Sequence, residues 1–87
     1  MTKHIVFGSA LLAMRYSQQM AVNPDNIILA TRPDLLLESS KQSLVVVRYP
    51  SEIWKPATFP CEKRVKEMED YIKRIQSSGI EVKTIQR

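Results

Sequence analysis

Only two glycines, one histidine, one cysteine and one tryptophan occur among the 87 residues, and each scarcity closes off some chemistry. A lone cysteine, Cys61, cannot make an internal disulfide. With His4 as the only imidazole, there is no Cys/His cluster of the spacing a structural metal needs. Stability must therefore come from packing, in a chain short enough to bury only about 60 to 65% of the surface its unfolded form exposes. Long hydrophobic runs are also missing. Nothing approaches the roughly 18 apolar residues of a membrane span, and the N-terminal apolar segment is broken by Gly8 and Ser9 before reaching Arg15, unlike a signal peptide. The expectation is a cytoplasmic chain with no membrane partner.

The composition that remains is that of a folded globular domain: 44% hydrophobic and 25% charged residues, with no repeat and no low-complexity segment. A formal net charge of +4 permits attraction to an acidic partner such as nucleic acid without specifying one.

Along the chain, Ile5, Val6 and Phe7 form a short run of β-formers closed by Gly8, and Ser9 is placed to cap a following helix. Leu12, Tyr16 and Met20, with Leu11 beside them, give that helix an apolar face, which Asn23 and Pro24 stop. "NPDN" is turn chemistry and "IILAT" a second strand. "RPDLLLESSKQS" predicts a short helix beginning at Pro33, and Leu44 to Arg48 a third strand. Residues 49–60, with Pro50, Pro56 and Pro60, form an irregular Pro-rich loop. Cys61, Val65, Met68, Ile72 and Ile75 then recur at helical spacing. Glu62 with Lys66, Glu69 with Lys73 and Asp70 with Arg74 form i, i+4 pairs on its outer faces. Gly79 caps this helix, and "IEVKTI" alternates as a half-exposed edge strand does.

The resulting β-α-β-(α)-β-α-β order predicts one α/β domain over residues 1–87, a small open four-stranded mostly parallel sheet with flanking helices, Rossmann-like or flavodoxin-like. Strands one and three are apolar at consecutive positions, as interior strands are, which favours the order 2-1-3-4 over 3-2-1-4. The connection from Arg32 to Ser43 is near the lower length limit for a parallel crossover.

Parallel strands collect their following loops on one rim, where open α/β sheets bind ligands. The candidate binding residues are thus Gly8 and Ser9 after strand one, Thr31 and Arg32 after strand two, and Arg48, Tyr49, Trp54 and Lys55 after strand three. Two guanidinium groups beside an indole and a phenol suit a phosphate-bearing ligand, a nucleotide or a nucleic-acid strand. A structural alternative has Trp54 and Phe59 covering the end of a small core and Arg48 pairing with Glu52. "VFGSALLA" and "ATRPD" resemble the first turn and second-strand end of a Rossmann half. That resemblance implies an Arg receiving a 2′-phosphate. Of the three fingerprint glycines only Gly8 is present, the other positions holding Ala10 and Ala13.

No catalytic residue and no cofactor are expected. Cys61 falls on the buried helical stripe, His4 lies at the opposite end of strand one from the rim, and Ser9 and Asp34 have no histidine nearby. Two functional expectations follow. One is a small non-enzymatic binding protein contacting a phosphate-bearing ligand or nucleic acid at its strand ends. The other is a protein-protein interaction module using an edge strand or the Pro-rich loop. It would be a homodimer, or an inhibitor or adaptor of another protein, of the kind a phage or plasmid encodes as an accessory chain.

Overall fold

The computed structural model describes residues 2–37, 43–50, 52–54 and 61–87, without the side chains of Leu37 and Cys61. Lys55, Phe59, Pro56 and Pro60 of the expected loop lie outside the described residues. The elements run β1 (Lys3–Phe7), α1 (Ala10–Met20), a 3-10 turn (Pro24–Asn26), β2 (Ile27–Leu29), α2 (Pro33–Leu37), β3 (Leu44–Arg48), α3 (Cys61–Ser77) and β4 (Val82–Gln86).

All three strand pairings are parallel and the sheet order is β2-β1-β3-β4. The short Arg32–Ser43 connection therefore does make a parallel crossover. Right-handed crossovers fix the layers: α1 lies on one face, while α2 and α3, whose crossovers run the other way along the sheet, lie on the opposite one. The two apolar clusters match this division. Ile5, Phe7, Ile28, Ala30, Leu44 and Val46 pack with Leu36, Met68 and Ile72 on the α2/α3 face. Val6 and Val47 pack with Ala13 and Tyr16 under α1. Burial on both faces is why β1 and β3 carry consecutive apolar residues.

Helix α1 is rotated from the expected face. Ala13, Tyr16 and Ser17 are its buried residues, whereas Leu11 and Met20 are exposed and Leu12 is half-buried. Two small side chains let the helix approach the sheet closely, and the Ser17 hydroxyl, which would otherwise be an unsatisfied donor, gives its hydrogen to the Val22 carbonyl at 2.6 Å. The helix stops at Ala21, which adopts the left-handed conformation (φ 52°) without being glycine. Asn23 then caps the 3-10 turn, its Oδ1 accepting from the Asp25 amide at 3.0 Å. At the end of α3 the sequence expectation holds: Gly79 has φ 93° and donates its amide to Gln76.

Candidate functional site

The strand-end rim is built as the topology requires, yet most of its polar groups are engaged within the fold. The point where strand order reverses lies between β1 and β3. There the Tyr49 amide continues the ladder onto the Phe7 carbonyl at 3.2 Å. The Tyr49 ring lies across Gly8, so close that a Cβ on Gly8 would stand 2.9 Å from the Tyr49 Cδ2. Its hydroxyl donates to the Leu12 carbonyl at 3.4 Å. In the crevice where an open sheet of this kind holds a ligand, this chain places its own phenol. Ser9 is engaged as well, since its Oγ accepts from the Leu12 amide at 3.2 Å as the N-cap of α1.

On the other face, strand parity sends Arg48 toward α3. Its guanidinium pairs with Glu69 at 2.9 Å and sits 4.4 Å from the centroid of the Phe7 ring. Glu69, rather than Glu52, is thus the partner of Arg48, and it is also the carboxylate expected to pair with Lys73. The strand register decides this, because Arg48 shares the face of Leu44 and Val46. Trp54 meets Phe7 edge to face at 6.5 Å and packs against the same cluster, as a residue covering the end of a core does. Lys55 lies outside the described residues.

Thr31 and Arg32 follow β2 in a tight turn closed by the Arg32 amide donating to Leu29. Arg32 donates two hydrogen bonds to Asp34, at 3.3 and 3.2 Å, and this holds the Asp34 carboxyl below its ordinary value. These two side chains, with Arg64, Glu67, Pro33 and Tyr71, line an open cleft of about 530 Å³ on the α2/α3 side. The cleft carries two cations and two carboxylates. It contains only Arg32 of the expected ligand residues. Its α3 members went unrecognised because Arg64 and Glu67 read, in sequence, as an ordinary charged helix surface.

Among the described residues no group of three or more His, Cys, Asp or Glu side chains is placed to hold a metal, and no helix is long and apolar enough to cross a membrane. His4 and Tyr16 form a part-buried polar pair: Nδ1 and the hydroxyl share a hydrogen bond of 2.9 Å. Burial lowers the His4 pKa from its ordinary value and raises that of Tyr16. They sit near the start of β1, away from the rim.

A second surface opposes the polar rim. Along the flank of α1 that faces β2, Ala10, Ala13, Met14 and Ser17 form an open groove of about 330 Å³ with Pro24, Ile27 and Leu29. Of its lining residues Met14 is 58% exposed, and Leu11, one turn earlier on the helix, is 56% exposed. The i, i+3 spacing of Leu11 and Met14 was the available sequence signal, hidden because Leu11 was assigned to the buried face. No protein-family model, curated protein or solved structure matches the chain.

Proposed function

We propose that this chain is a non-enzymatic protein-interaction module. The observation that carries the reading is the apolar flank of α1, where Met14 stands exposed over a groove floored by Ile27 and Leu29, with exposed Leu11 one turn earlier on the helix. Large apolar side chains grouped around a concavity are the pattern of a surface that meets another protein, and methionine adapts its shape to varied partners. The rim points the same way by contrast, since Tyr49, Ser9, Arg48 and Trp54 all have partners in the fold.

A second reading, the contact of a phosphate-bearing ligand or nucleic acid at the strand ends, draws its support from the cleft where Arg32 and Arg64 stand together. Heteronuclear NMR of labelled protein separates the two. Short single-stranded DNA and RNA and a mononucleotide mixture are titrated at low and moderate salt, and the free protein is followed on dilution. The interaction module predicts no salt-sensitive shifts at Gly8, Ser9, Arg32, Arg48 or the Trp54 indole, with lines that sharpen on dilution. Shifts confined to those residues and weakening as salt rises would refute it in favour of an anion site.

A further inference from the structure

The two edges of the sheet are unequal. In a parallel ladder alternate residues of an edge strand turn both backbone polar groups away from the neighbouring strand. On β2 these are Ile27 and Leu29, because the Ala30 amide bonds to Val6 on β1. Local turns take half of what they offer: the Ile27 amide donates to Pro24, and the Leu29 carbonyl accepts from Arg32. Strand β2 is a short, blunted edge.

Strand β4 is different. Its bonds to β3 run from the Leu44 amide to Glu81 and from the Arg87 amide to Arg48, so Val82, Thr84 and Gln86 turn their amides and carbonyls outward. It is the last strand of the sheet, five residues long with no proline, and among the described residues no strand pairs with that side. Thr84 and Gln86 are exposed on the α3 face, so that helix stops short of the edge. Val82 is half-buried on that face and Ile85 on the opposite one, beside Val47.

We propose that β4 pairs antiparallel with β4 of a second copy about a two-fold axis at Thr84, joining two sheets into one of eight strands. This rests on the interaction reading above and names one partner. In that register Val82 faces Gln86 and Thr84 faces Thr84, so every outward backbone group of the three residues meets a complementary one. Glu81 stands opposite Arg87 twice over, and Lys83 opposite Ile85, along which its aliphatic stem lies. Arg87 donates one hydrogen bond to Gln19 at 2.6 Å, out of the five N–H groups a guanidinium carries. Charge selects this register over the two adjacent ones. Moving the axis to residue 83 sets Lys83 directly against Lys83, and moving it to residue 85 sets Lys83 against Arg87. An exposed lysine on an edge strand usually discourages pairing. Here it discourages the wrong registers.

Sedimentation velocity over micromolar to near-millimolar concentrations tests the proposal. The expected result is a mass rising from one chain toward two, with slowed amide exchange at Val82, Thr84 and Gln86. Thr84→Pro should stay monomeric yet folded, because the amide it removes faces away from β3. Glu81→Arg should weaken association roughly three- to tenfold for two exposed pairs, and Glu81→Arg with Arg87→Glu should recover it. A single-chain mass at the highest concentration overturns self-pairing and with it the sharpening on dilution, leaving the interaction reading to a different partner chain and to the absence of salt-sensitive shifts in the titration above. A dimer that survives Thr84→Pro but is lost in Leu11→Glu also overturns it, placing the interface at the α1 groove and so keeping the interaction reading.

Discussion

Whether Arg48 serves the fold or a ligand decides between the two functional readings, and its truncation is the sharpest perturbation available. Its ion pair with Glu69 joins side chains that are 35% and 41% exposed, so solvent screening holds that contribution to about 0.5 kcal/mol. The guanidinium over Phe7 adds about 0.5 to 1 kcal/mol. Arg48 is half-buried as a whole, and losing about one buried methylene on truncation costs roughly 0.8 kcal/mol. Arg48→Ala should therefore destabilise by about 2 kcal/mol, which for a domain of this size is a fall in Tm of roughly 8 to 16 °C. Arg48→Met keeps the stem and should lose about half as much. Glu69→Gln, which removes only the charge pair, should lose least. Thermal unfolding followed by circular dichroism ranks the three. If Arg48→Ala melts within about 2 °C of the parent while polyanion binding disappears, the guanidinium is a ligand group and the interaction reading fails.

Three further outcomes check separate parts of the description. Gly8→Ala puts a methyl 2.9 Å from Tyr49 and 3.3 Å from Leu12, so the ring must move off its carbonyl partner; denaturant titration should show a loss of about 1 to 2 kcal/mol, and an unchanged midpoint would mean the ring does not close the crevice. Ala21→Gly relieves a left-handed alanine at the end of α1 and should raise stability by up to about 1 kcal/mol, against the usual direction of an alanine-to-glycine change. Partial burial lowers the folded pKa of His4 below the ordinary 6.5. Protons therefore bind the unfolded chain first, and stability is complete above pH 6.5 and declines as pH falls through the folded pKa. His4→Gln should flatten that decline, and a His4 NMR titration midpoint at or above 6.5 would contradict it.

How much of this was legible in the sequence differs by level. The parallel sheet, its order and the helices that cover it followed from apolar runs at β1 and β3, the Ser9 cap and the stripe on α3. Those signals are local, and packing agrees with them. The rotation of α1 was not legible, because Leu11 and Leu12 are equally apolar and only the packing shows that Ala13 and Tyr16 are the residues that meet Val6 and Val47. Nor was Ala21 as a left-handed terminus, since nothing in its type signals positive φ. Which residues follow the ends of the parallel strands was legible, and the partner of Arg48 was not. Arg48 was free to be assigned to Glu52 until the register fixed which face it shares, and only then did Glu69, 21 positions along the chain, become its neighbour.

The same parity that takes Arg48 out of the rim sets the character of both edges. One alternation along β3 and β4 sends Arg48 onto α3 and turns Val82, Thr84 and Gln86 outward. A small parallel sheet has few crossover helices, so it covers its centre first and leaves its last strand bare. In this chain the centre is closed by Tyr49 and Arg48 on its two faces, with surface still available along the α1 flank and at β4. If function follows the open surface, it lies with other protein chains. The salt dependence of the titration and the fate of the Thr84→Pro dimer then test that at two independent places on the molecule.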